Sequence, residues 1–221
     1  DEASQCDALA LIALYLADQV VVVGDHEQVS PEGVGMDLGV LEQLQREYLA
    51  GIPNDHLYDG RRSIYDIARE SFGGGVLLTE HFRCVPEIIQ FSNVLSYQGR
   101  IRPLRESANV RIKPPVVPHR VNGTSDKLRN ESEARAIVSL VLAMMQHPAY
   151  KGKTIGVISM VGEEQARYIE QLLRRFRIER PKEFEGCKLL CGTPAQFQGD
   201  ERDVVLLSMV DSPQPGKQLT L

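Results

Sequence analysis

The sequence predicts an α/β fold in which a parallel sheet is covered by helices on both faces. Three features carry that expectation. Apolar residues at helical spacing alternate with short β-branched runs. Val20-Val21-Val22-Val23 stops at Gly24 as a central parallel strand does. Past Gly73-Gly74-Gly75 the alternation repeats more completely.

Taken in order, residues 6–17 are apolar on almost every side and read as a buried helix, with 19–24 as the following strand. Leucines at 38, 41, 44 and 49 place an amphipathic helix over 37–50. Ser63, with Asp66 three positions on, caps a helix running to Phe72, and the triple glycine ends it as a hinge. A domain boundary is set there, dividing the chain into 1–75 and 76–221. Beyond it, strands are expected at 76–79, 116–121, 154–159, 188–191 and 203–210. Helices are expected at 86–97, 130–146 and 163–176, and Lys113-Pro114-Pro115 serves as a linker.

With 43% hydrophobic and 25% charged residues, the chain can bury one large core or two modest ones. Its longest apolar runs, 9–17 and 20–23, are too short to span a bilayer, and no basic segment precedes a cleavable apolar stretch. A cytoplasmic setting and no membrane partner are expected. The net charge of -5 lacks the footprint of a basic nucleic-acid binder, although amides and a few local cations can line a channel on an acidic protein. Four scattered cysteines read as reduced, mostly buried thiols, with Cys187 and Cys191 on one face of a strand. His26, His81 and His119 lack metal-ligand spacing.

Four clusters carry residues suited to chemistry. Asp1-Glu2-Ala3-Ser4-Gln5 has the carboxylate pair with which a P-loop ATPase holds Mg²⁺ and orients water, although no Gly-x-x-x-x-Gly-Lys-Ser/Thr occurs in the sequence. Gly24-Asp25-His26-Glu27-Gln28 through Pro31 follows the valine run, where open α/β sheets place ligands. In 78–86, Phe82 can stack a base and Arg83 can meet a phosphate, just before Pro86 opens a helix. In 192–203, Gly199 allows close backbone approach and Glu201 can accept from a ribose hydroxyl. Each cluster alone also reads as a polar loop or a surface pair.

In this order the clusters resemble the superfamily 1 helicases, specifically the upframeshift-like branch and its bacterial relatives. Asp1-Glu2-Ala3-Ser4-Gln5 looks like motif II, the Walker B box, and Gly24 to Pro31 resembles motif III. His81-Phe82-Arg83 with Pro86 is similar to the Gln-Tyr-Arg-Met-His-Pro segment, with Phe for Tyr and Cys-Val for Met-His. Phe197-Gln198-Gly199 with Glu201 and Asp203 resembles motif V. Asn130 to Ala134, and Ile155 to Ile158 with Gln165, match the family's spacing.

The resemblance implies two RecA-like domains of the P-loop NTPase helicase fold, the second nearly complete and the first partial. ATP with Mg²⁺ lies between them, and a strand of single-stranded DNA or RNA crosses both. It gives Asp1 the metal, Glu2 the hydrolytic water and Gln28 the γ-phosphate. Phe82 receives the adenine ring, Arg83 a phosphate, and Gly199 and Glu201 the ribose side. Thr193 and Ser159 are implied strand contacts, although Ser159-Met160-Val161 stands where relatives often have Thr-Pro-Tyr.

The chain is read as a motif II to motif V fragment of an ATP-dependent helicase. The P-loop part and the motif VI part of a parent chain are its partners, and the fragment alone is expected to be inactive. Two other readings stay open. A metal-dependent nuclease could use Asp1, Glu2, Asp25 and Glu27, and a non-catalytic RecA-like module could bind nucleic acid or protein.

Overall fold

The computed structural model describes residues 2–28, 38–60, 62–126 and 128–212. The chain divides into two compact units, Asp1–Glu106 and Ser107–Leu221. This division falls downstream of the triple glycine. Gly73 (φ 87°) ends its helix by donating to the Arg69 carbonyl, while residues 80–105 fold with the preceding segment.

In the first unit, Ala3–Gln5 forms a 3-10 turn and Ala8–Leu16 a 3-10 helix. Helix α1 (Leu38–Leu44) continues as a π-helical turn over Gln45–Leu49, and α2 spans Ile64–Phe72. The cap at α2 forms as expected. The Ser63 hydroxyl accepts from the Asp66 amide at 3.1 Å, and the Asp66 carboxylate accepts from the Ser63 amide at 3.1 Å. Strand β1 (Glu80–His81) pairs in parallel with β2 (Arg102–Pro103) around α3 (Pro86–Leu95), which starts on its proline.

Three sequence expectations fail in this unit. The segment read as a buried helix is 3-10, and Ile12, Tyr15 and Leu16 are exposed. An apolar run with no polar side gives no face by which to choose a packing partner. The valine run forms no strand. Of its ladder groups, the Val23 carbonyl accepts from the Ala3 amide at 2.8 Å. A parallel strand needs a neighbour along its length, and β-branched composition does not supply one. Residues 76–79 and 116–121 are likewise outside any ladder, and pairing begins only where the Thr79 carbonyl accepts from Arg102 at 2.6 Å.

The second unit carries the α/β core. It contains α4 (Glu131–Gln146), β3 (Ile155–Ser159), α5 (Glu164–Glu179), α6 (Pro181–Cys187), β4 (Leu190–Gly192) and β5 (Val204–Ser208). The sheet order is β4-β3-β5, all parallel, with Val157 opposite both Cys191 and Leu206. The parallel α/β fold predicted for the chain is therefore present. Strand alternation sends Ile155 and Val157 into a core with Ala134, Ile137 and Val141 of α4, Ile169 and Leu173 of α5, and Phe184 of α6. Burying a leucine such as Leu173 there contributes about 1.5–3 kcal/mol. On the opposite face Val205 and Leu207 are exposed, and Phe197 of the 3-10 turn Ala195–Phe197 packs there against Gly156.

Helix α6 is absent from the predicted elements, although Pro181 at its first position is the signal for it. It also corrects the cysteine placement. Cys187 ends α6 and Cys191 lies in β4, separated by Lys188 in the left-handed region (φ 46°). All four cysteines are free thiols. Burial, then the charge of Glu170, pushes Cys191 up to about 12, so it stays a protonated, unreactive packing group. Among the described residues, no helix is long and apolar enough to cross a membrane.

Candidate functional site

Asp1 lies outside the described residues, so the metal position assigned to it has no geometry here. Glu2 follows, half-buried in the left-handed region (φ 57°), with its Oε2 accepting from Gln5 Nε2 at 3.0 Å. Its turn is joined to the motif III-like loop at two points. Ala3 donates to the Val23 carbonyl at 2.8 Å, and the Ser4 hydroxyl accepts from the Asp25 amide at 3.3 Å. Gly24 permits this approach, because a Cβ there would lie 2.9 Å from the Ser4 nitrogen and 2.8 Å from the Tyr65 ring. The two clusters are thus neighbours, joined through turns.

Asp25 is the hub of that loop. Its Oδ1 accepts from the Glu27 amide at 3.0 Å, and its Oδ2 accepts from Gln28 Nε2 at 3.1 Å and from the Tyr97 hydroxyl at 2.6 Å. Burial pushes the carboxyl up, but the Tyr97 bond, the Glu27 amide, the Gln28 amide and His26 outweigh it and hold Asp25 below its ordinary range. His26 stacks parallel to Tyr65 at 6.4 Å and lies 3.3 Å from Glu27. Among the described residues, no group of three or more His, Cys, Asp or Glu side chains is arranged to hold a metal ion. Glu2, Asp25 and Glu27 therefore form no such cluster without Asp1.

Phe82 and Arg83 follow β1 and are both exposed, Phe82 to 70%. A ring this open is available to stack on a flat ligand. The turn that presents them is fixed from both sides. His81 Nε2 accepts from the Cys84 amide at 2.9 Å, and Arg105 donates to the Arg83 carbonyl at 2.9 Å. Burial, then the charge of Arg83, lowers the His81 pKa, which keeps that acceptor nitrogen unprotonated.

In the second unit, the motif V-like loop opens at the carboxyl end of β4. The Thr193 amide donates to Gln196 Oε1 at 3.0 Å, and Phe197 is buried against Gly156 and Gly192. Gly199 has φ 73°, and a Cβ placed there would meet nothing within 4 Å, so the backbone is open to an approaching group. Glu201 is exposed beside it. These residues suit the hydroxyls of a sugar, because open backbone, a carboxylate acceptor and a hydroxyl lie on one loop. Asp203, placed in the same motif, serves the fold instead. It accepts from Lys153 Nζ at 2.7 Å and from the Thr154 amide at 2.9 Å at the start of β3.

Ser159 is fully buried, and its hydroxyl donates to the Val161 carbonyl at 3.1 Å, fixing the turn after β3. Thr193 is half-buried on its loop. The first unit thus brings Glu2, Asp25 and Gln28 into one bonded system, and the second gathers Thr193, Gly199 and Glu201 on one loop. Sequence reasoning missed Ser4 and Tyr97. Ser4 lies within the motif II-like cluster but had no role there, Tyr97 sits in no chemical pattern, and each acts through Asp25, far away along the chain.

A family model described as "AAA domain" matches residues 62–219. The chain is also similar to a zebrafish (Danio rerio) protein named "Putative helicase mov-10-B.1", 25% identical over 225 aligned residues. That alignment covers 88% of this chain and 21% of the relative, so the chain spans about a fifth of that protein's length.

Proposed function

The chain belongs to the AAA-domain family, as an upframeshift-like superfamily 1 helicase sequence, and on that premise we propose that it supplies the motif II to motif V part of an ATP-dependent helicase or translocase. ATP hydrolysis drives movement along single-stranded DNA or RNA in this reading, in the cytoplasm, with the P-loop and motif VI on other parts of the parent protein. In this reading the chain contributes to two RecA-like domains, with residues 80–105 folding with the first unit.

One observation carries the reading: the Asp25 hub joins the Glu2 turn to Gln28 and to the segment bearing Phe82 and Arg83. Asp1 would hold Mg²⁺, with Glu2 beside it to orient the attacking water. Bound Mg²⁺ neutralises developing phosphate charge. Gln28, whose carboxamide nitrogen donates to Asp25, is the residue this reading gives to the γ-phosphate. Phe82 stacks on adenine, and Arg83 offers its guanidinium to phosphate. Gly199 and Glu201 receive the ribose. Thr193 meets the nucleic-acid backbone through its hydroxyl, while Ser159 acts by shaping its turn.

This chain by itself should not turn over ATP, because its sequence holds no Gly-x-x-x-x-Gly-Lys-Ser/Thr loop; Gly152-Lys153-Thr154 has His147 where that pattern begins with glycine, and Lys153 and Thr154 are bonded to Asp203. Phosphate release is measured for the full-length protein and for the 221-residue chain, each with and without single-stranded nucleic acid. The expected result is nucleic-acid-stimulated release by the full-length protein alone. Metal-dependent cleavage of the nucleic acid without ATP would instead favour a nuclease.

A further inference from the structure

We propose that Tyr97 is a positioning residue for ATP turnover: through Asp25, its hydroxyl sets the carboxamide of Gln28 and ties it to the segment that presents Phe82 and Arg83. This rests on the ATP-hydrolysing reading above. The same carboxylate oxygen, Asp25 Oδ2, accepts from Tyr97 at 2.6 Å and from Gln28 at 3.1 Å. The tyrosine therefore fixes where that oxygen lies, and the oxygen fixes where the carboxamide lies.

Tyr97 can do this because its own position is rigidly set. It lies just past α3, in a turn closed by Gln98 (φ 55°) and Gly99 (φ 74°). The buried Asn93 clamps the far side of that turn. Its Nδ2 donates to the Ile101 carbonyl and its Oδ1 accepts from the Ile101 amide, both at 2.9 Å. From Ile101 the chain enters β2, whose pairing with β1 leads directly to Phe82 and Arg83. Gln28 and Arg83 are thus ends of one continuous chain of hydrogen bonds and paired backbone.

The charge states suit the task. Burial and the Asp25 bond push the Tyr97 phenol well above its ordinary pKa, while Asp25 is held below its own, so donor and acceptor keep their roles across the working pH range. A shift of this geometry by a fraction of an ångström displaces Gln28 without removing it. Misplacement of about 1 Å can cost on the order of 10²-fold in rate.

The test is a double-mutant cycle in the full-length protein, read as ATP turnover. Tyr97→Phe keeps the ring and removes only the hydroxyl. It should lower kcat about tenfold or more with KM for ATP within about twofold, and the double variant with Gln28→Ala should be no slower than Gln28→Ala alone. A merely structural loss would multiply with Gln28→Ala. Multiplying effects, or a Tyr97→Phe protein that turns over as wild type, overturn the proposal. Absence of turnover in the wild type overturns the ATPase reading itself. If Tyr97→Phe does not fold, Asp25→Asn takes its place in the cycle, with the same expected and overturning outcomes.

Discussion

Gln165 and Asn130 hold each other across two helices. The Gln165 Oε1 accepts from the Asn130 amide at 2.9 Å, and its Nε2 donates to the Asn130 carbonyl at 3.1 Å and to the Ser208 hydroxyl at 3.1 Å. Asn130 caps α4 by accepting from the Glu133 amide, and donates to the Val210 carbonyl. Glu133 in turn accepts from the Met209 and Val210 amides, both at 2.8 Å. This network pins the chain leaving β5, including the buried Val210 at φ 64°, a conformation β-branched residues avoid.

Gln165→Ala should therefore destabilise the protein by about 1–3 kcal/mol, since it leaves the buried Asn130 amide unpaired, while the Asn130 carbonyl keeps its bond from the Ala134 amide. Gln165→Glu should not rescue it, because a carboxylate cannot donate to the Asn130 carbonyl. Urea unfolding of the three proteins checks both statements. A loss under about 0.5 kcal/mol for Gln165→Ala would show that water replaces the side chain.

At the start of α2, the reciprocal bonds between Ser63 and Asp66 satisfy helix amides that lack partners within the helix. Ser63→Ala should cost about 1 kcal/mol, and Ser63→Thr, which keeps the hydroxyl that donates to Asp66 Oδ2 at 2.6 Å, should restore most of it. Thermal unfolding measures the difference. Because Ser63 is buried, an equal loss for both variants would assign the effect to packing instead.

Asp203 gives a pH dependence of definite sign. Burial raises its pKa, but Lys153 and the amide and hydroxyl of Thr154 outweigh burial and lower it. A carboxyl lowered in the folded state stabilises the protein above its unfolded pKa of 3.8, and that contribution disappears as pH falls through the folded value. Asp203→Asn should cost about 1 kcal/mol at pH 7, a modest figure because the ion pair is partly exposed. The gap between the two proteins should close below about pH 4. A gap that widens with acid would contradict the assignment.

Much of the second unit was legible in sequence. The helices expected at 130–146 and 163–176 and the strand expected at 154–159 are α4, α5 and β3, and those elements lie close to their predicted bounds. The first unit was less legible because a β-branched run declares a preference for extension without declaring a partner. Val20 to Val23 makes the point, with Val21 largely exposed. The site was legible where chemistry concentrates in loops, at Asp25 to Gln28 and Phe82-Arg83. It was illegible where one residue acts alone across the chain. Tyr97 meets Asp25 from 72 positions away, and a lone tyrosine after a helix carries no local sign of it.

Phe82 offers the most direct check on nucleotide recognition. Its ring is 70% exposed at a turn whose backbone is held by His81 and Arg105. Stacking on an adenine would bury that face, at a gain of about 1–3 kcal/mol by analogy with other base–aromatic contacts. In the full-length protein, Phe82→Ala should therefore raise KM for ATP about 5- to 150-fold, and Phe82→Tyr, which preserves the π-face, should leave it within about twofold. Because the side chain is exposed, neither change should move the unfolding midpoint appreciably. An unchanged KM in the alanine variant, alongside intact turnover, would remove Phe82 from the nucleotide site.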